Sequence, residues 1–203
     1  MDAERPPEPP PGPPPTRWQL SRRLFLVLLG CTYACAFASL AFQITGLVGR
    51  EGIRPAAALL AWAGETYPEA LDRALHFPTV FWLGSSDLAL EAVCWGGLLL
   101  SLLVVFGFAQ RLALVGLWSL YLSLATVGDA FLGFQWDVLL CEVGLLAIVY
   151  APRGPWRARP GEPPALVRRL VVWLLFRVVF MSGVVKLLSA DPTWRDLSAA
   201  DYH

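Results

Sequence analysis

The sequence predicts an all-α protein: a polytopic transmembrane helical bundle of about five spans, with short interfacial helices in its first outer loop. Three observations carry this. Of the 203 residues, 56% are hydrophobic and only 16% are charged, where a soluble domain has about a quarter charged residues. The mean hydropathy is +0.54. The apolar residues also gather into runs of roughly 20, the length at which a helix crosses a hydrocarbon layer about 30 Å thick. Sixteen basic residues balance 16 acidic ones, so no basic face points to a nucleic-acid partner. The partner that the composition implies is the lipid bilayer.

The chain starts with MDAERPPEPPPGPPPT, half of it proline. Proline has no amide hydrogen and breaks a helix interior, so residues 1–23 read as a disordered proline-rich tail. The first apolar run begins only at Leu24, too late and too long for a signal peptide. The expected spans lie near 24–48, 88–109, 112–132, 136–151 and 170–188. Only Gln110 and Arg111 separate the second from the third, which should form a tight antiparallel hairpin. Gly133-Phe134-Gln135 should turn the third into the fourth. At about 1.5 Å per residue the fourth reaches only about 24 Å, so it should tilt little, thin the bilayer around it or be partly re-entrant.

Loop 49–87 carries two further apolar stretches, broken at Pro55, Pro68 and Pro78. Ala57, Leu60, Ala61 and Gly64 fall at helical spacing, as do Ala70, Ala74, Leu75 and Phe77. These should be short helices lying along the interface, with Trp62, Tyr67 and Trp82 in its aromatic belt. Orientation follows from positive charge, which collects on the cytoplasmic side. With the N-terminus cytoplasmic, that side holds Arg5, Arg17, Arg22, Arg23, Arg111, Arg153, Arg157, Arg159, Arg168 and Arg169. The other side holds Arg50, Arg54, Arg73 and Arg195.

Ionisable groups within or beside the spans are the candidate functional residues: Asp129, Asp137, Glu142, Arg177 and Lys186. A lone charge at bilayer depth costs several kcal/mol, so each must pair, face the bundle interior or reach an interface. Glu142 and Arg177 both lie well inside their spans and are expected to form a structural intramembrane ion pair. Snorkelling to water, or a polar site that handles a substrate or a proton, are the alternatives. Lys186 follows Arg177 by nine residues, about 180° around an ideal helix, so the two cations should face opposite ways. Near the end of its span Lys186 can snorkel to water; a role as a catalytic base is its alternative. Cys31, Cys35, Cys94 and Cys141 all sit in apolar runs and read as packing residues rather than a disulfide framework. Two histidines, His76 and His203, offer no metal-ligand spacing, and neither a soluble-type catalytic motif nor a cofactor motif is present. The expectation is a protein that is not an enzyme and has no cofactor.

Four stretches carry a resemblance to a known family. They are QITGLVGREGIRP at 43–55, YLSLATVGDAFLGFQWDVLLCEVGLLAIVYAP at 121–152, LLFRVVFMSGVVKL at 174–187 and SGVVKLLSADPTWRDLSAADYH at 182–203. Their order and patterning resemble the lipase maturation factors, with Gly183, Lys186, Asp191, Trp194, Arg195 and Asp196 as motif positions. The resemblance implies a membrane protein that helps secreted lipases fold and assemble. It implies a cytoplasmic N-terminus in the endoplasmic reticulum membrane for a eukaryotic member, and in the plasma membrane for a bacterial one. It also implies client lipases held by a C-terminal domain beyond this chain, with 189–203 leading towards it, so that the chain reads as an N-terminal fragment. A second similarity, to the vitamin-K-dependent carboxylases and their transmembrane relatives, rests on the helix ending in glycine, lysine and leucine before Asp191 and Trp194. It implies an alternative: an integral membrane enzyme with Lys186 as its base.

Overall fold

The computed structural model describes residues 18–154, 162–189, 191–195 and 198–199. Of the tail expected over 1–23, residues 1–17 lie outside the described residues, as do Arg157, Arg159, Asp196 and the side chain of Arg195, while residues 19–23 are helical and belong to α1. The described residues form α1 (Gln19–Ala41), α2 (Ile44–Val48), α3 (Ala56–Thr66), α4 (Ala70–His76), a 3₁₀ turn (Val80–Leu83), α5 (Asp87–Phe106), α6 (Gln110–Val127), α7 (Asp129–Leu132), α8 (Gln135–Tyr150), α9 (Ala165–Leu188) and α10 (Pro192–Arg195). No strand occurs among them. The chain is an integral membrane helical bundle. Four helices, α1, α5, α6 and α9, have the length and composition to cross a bilayer; α8, the expected fourth span, has 16 residues and extends about 24 Å.

The helix ends differ from the expected ones for local reasons. α1 starts at Gln19 and takes in Arg22 and Arg23, five residues before Leu24. α9 likewise starts at Ala165, just after Pro164, and takes in Arg168 and Arg169. Hydropathy marks where apolar residues begin, but arginine is itself a good helix former, so both helices run on into their charged flanks. The first span does not continue to 48. It closes at Ala41, where the Gln43 amide turns back onto the Leu40 carbonyl at 2.9 Å, and α2 restarts beyond. The hairpin between α5 and α6 turns at Gly107-Phe108-Ala109, not at Gln110 and Arg111, which already belong to α6. Gly107 takes a left-handed φ of 82°, open to glycine at little steric cost. The Phe108 amide then caps the Leu103 carbonyl at 2.9 Å, as in the usual glycine helix stop. The third span ends at Val127, and Leu132 lies in the separate short helix α7.

In the core α1 packs on α5, α5 on α6 and α6 on α8, while α8 also touches α1. Tyr33 and Phe37 of α1 are fully buried and meet the Tyr121 ring of α6 edge-on, at 5.8 and 5.6 Å between centroids, a favoured aromatic geometry. Two glycines allow α1 to approach so closely. A Cβ on Gly97 of α5 would overlap the Phe37 ring, and one on Gly144 of α8 would overlap the Tyr33 hydroxyl. Such small-residue contacts hold helices together where lipid removes the hydrophobic drive between them. α9 is peripheral: it leans on α8 and buries only Val167 and Leu174.

The loop between α2 and α5 is built of the short helices expected there. α3 covers one end of the bundle, but its buried face is Ala56, Leu60 and Ala63 rather than the expected Ala57–Leu60–Ala61–Gly64 set. Almost every residue of this helix is apolar, so periodicity cannot choose between neighbouring faces. None of α4 is buried. Ser123 of α6 anchors the 3₁₀ turn, its hydroxyl accepting from the Val80 amide at 3.0 Å and its carbonyl from the Thr79 hydroxyl at 3.3 Å. The Arg50 amide donates to Asp87 Oδ1 at 2.8 Å, which ties the two ends of the loop together.

Candidate functional site

The polar centre of the bundle is built on α8. Asp137 and Glu142 stand five residues apart, about 140° around a helix, so they address different neighbours. Asp137 faces inward and is 4% exposed. Its Oδ1 accepts the Tyr121 hydroxyl of α6 at 2.6 Å, while Oδ2 is buried with no hydrogen-bond partner among the described residues. One turn further along α8, the Leu140 carbonyl accepts the Tyr33 hydroxyl at 3.0 Å. Tyr33 and Tyr121 thus bind α1 and α6 to the same stretch of α8.

Glu142 faces α9. Arg177 Nη2 donates to Glu142 Oε2, so the structure brings the two expected partners together. The pair borders a crevice of about 290 Å³ between α8 and α9, with Gln135 and Met181 also on its walls. Lys186 is not part of it. Its ammonium lies 4.4 Å from the centroid of the Trp194 ring, beyond the end of α9, a cation–π arrangement. Gly183 stands on an open face of α9 with nothing near the position of a Cβ. Asp191 Oδ1 receives the Thr193 amide and hydroxyl, at 2.9 and 2.8 Å, at the start of α10.

At the end of the bundle that carries the 50–86 loop, a cleft of about 910 Å³ runs between α3 and the α6–α7 junction. Trp62, Phe77 and Phe131 line it with Arg54, His76 and Asp129. At the other end, Arg111 caps α8, its guanidinium donating to the Ile148 carbonyl at 3.0 Å. The four cysteines are free. Among the described residues no three of His, Cys, Asp and Glu come together as metal ligands.

Sequence reasoning singles out Asp137 but gives it no partner, and it overlooks Tyr33 and Tyr121. The signal is available in principle: a tyrosine inside an apolar span needs an acceptor for its hydroxyl. Which acceptor depends on helix adjacency.

Among known protein families, the lipase maturation factor transmembrane domain matches residues 20–203. Among curated proteins the chain is 42% identical over 199 residues to lipase maturation factor 2 of Xenopus laevis, covering 91% of this chain and 27% of that protein. It is 40% identical over 202 residues to lipase maturation factor 2 of Homo sapiens, covering 91% and 28%. It is 33% identical over 199 residues to lipase maturation factor 1 of Bos taurus, covering 93% and 35%. The chain therefore spans about a quarter to a third of these relatives' length. No solved structure matches it.

Proposed function

Because the chain belongs to the lipase maturation factor family, we propose that it is the membrane portion of a factor that assists the folding and assembly of secreted lipases. The observation that carries this is the match of the family's transmembrane domain over residues 20–203. The relatives are named as maturation factors rather than enzymes, and the reading needs no catalytic group. In it the bundle anchors and orients, and contact with the client lipases falls to a domain outside this chain. Trp194 packs against that domain, and Glu142 with Arg177 sets the register of α9 on α8. The membrane is that of the endoplasmic reticulum, with the N-terminus cytosolic and the 50–86 loop lumenal. The arginine bias between the two sides supports this orientation.

The test is a chimera in which residues 20–203 replace the matching part of the human relative, expressed in cells that lack the endogenous factor. Restored secretion of active lipase is expected. A chimera that reaches the endoplasmic reticulum yet restores nothing removes the reading. Orientation is checked with glycosylation acceptors at Glu69 and Arg153, both exposed. The first should be modified and the second not.

A further inference from the structure

A second cleft, of about 560 Å³, lies between α1 and α8 and is separate from the α8–α9 crevice. Its walls are mostly aliphatic, with Leu29, Ala36 and Leu40 on α1 facing Leu139, Leu140 and Val143 on α8. Thr32, Ser39 and Trp136 line it as well and are exposed, so the cleft opens on the flank of the bundle. Tyr121 and Asp137 form its polar part. Here one oxygen of the buried carboxyl group accepts the Tyr121 hydroxyl and the other has no partner among the described residues. A polar atom buried in an apolar setting is costly unless something hydrogen-bonds to it.

We propose that this cleft binds a neutral, hydroxyl-bearing lipid, whose apolar body lies between α1 and α8 and whose hydroxyl donates to the Asp137 carboxyl group, a small turn of that side chain bringing the enclosed Oδ2 to the cleft. The volume falls within the usual range of small-molecule sites, roughly 300–1,000 Å³, and the mix of apolar walls with one well-placed polar group is typical of them. The chemistry of the lining selects the headgroup. Asp137 needs a donor, and among the described residues no Lys, Arg or His lines the cleft, so a fatty acid or a phosphate headgroup would meet a carboxyl group with no cation to offset it. Mono- and diacylglycerols and sterols share the required chemistry. This inference does not depend on the proposed role in lipase maturation.

The experiment uses the full chain in phosphatidylcholine nanodiscs, irradiated with photoactivatable analogues of monoacylglycerol, of a sterol and of a fatty acid. Cross-links are mapped by mass spectrometry. Labelling concentrated on residues 32–40 and 136–143 is expected from the glyceride, the sterol or both, whichever reacts identifying the source, and not from the fatty acid. Asp137→Leu removes the polar group and should lower that labelling on the order of tenfold, the scale of one strong hydrogen bond. Ala36→Phe fills the cleft, leaves the Tyr121–Asp137 bond in place and should abolish labelling. It decides the matter if Asp137→Leu does not fold. Equal labelling by the fatty acid, labelling spread evenly over lipid-facing peptides, or labelling that survives Ala36→Phe would each overturn the proposal.

Discussion

The Tyr33 hydroxyl on α1 donates to the Leu140 carbonyl on α8 at 3.0 Å, and Gly144, one turn further along α8, leaves the space the hydroxyl occupies. The contact joins two residues that are 107 positions apart in sequence. A side chain at 144 must displace a fully buried ring. Gly144→Val should therefore lower stability by about 1–3 kcal/mol, the usual cost of overpacking. Joined with Tyr33→Ala, it should cost less than the two changes summed. Thermal unfolding in detergent, followed by tryptophan fluorescence, measures both; strict additivity would contradict the contact.

Tyr121 supplies the only hydrogen bond to the buried Asp137 carboxyl group among the described residues. Tyr121→Phe leaves both carboxyl oxygens without a partner and should destabilise the bundle by about 1–3 kcal/mol. Adding Asp137→Leu removes the unsatisfied group and should recover part of the loss. If the double variant is no more stable than Tyr121→Phe alone, the hydrogen bond is not what makes the single change costly.

Glu142 and Arg177 meet between α8 and α9. Neutralising one leaves the other at bilayer depth, at a cost on the order of 2.5 kcal/mol or more. Arg177→Leu combined with Glu142→Leu should be clearly better tolerated than either change alone, as for other ion pairs whose partner is removed. Expression level and unfolding temperature in the same detergent form the double-mutant cycle. Damage equal to the sum of the singles would deny the pairing.

Lys186 lies against Trp194, so its ammonium is shielded on one side. Trp194→Ala should raise the rate of Lys186 acylation by an amine-reactive reagent about two- to fivefold, given a contact of about 0.5–1 kcal/mol at an exposed site. Lys186 is the only lysine in the chain, so the modified peptide is read without competition from other lysines. An unchanged rate would show that the ring does not cover it.

The pairing of Glu142 with Arg177 is legible in the linear sequence, because two opposite charges in apolar spans have few other ways to be accommodated in hydrocarbon. The same logic finds Asp137 but cannot name Tyr121, since a tyrosine satisfies a carboxyl group without carrying a charge that marks it. The face of α3 is illegible for a related reason: Ala56, Leu60 and Ala63 are no more apolar than the neighbours left outside.

The linear order of residues is enough to establish an all-helical membrane bundle and the approximate places of its long helices, because the free energy of apolar groups in lipid depends on local composition and length. Folding in three dimensions decides what no run of residues encodes. It closes α1 at Ala41, turns the α5–α6 hairpin at Gly107, seats Tyr33 against Gly144 and encloses the Asp137 carboxyl group beside a lateral cleft. Each of these depends on which backbone lies within a few ångströms of which side chain, and helices of nearly uniform hydropathy can satisfy the bilayer in many relative rotations before close packing and hydrogen bonding select one.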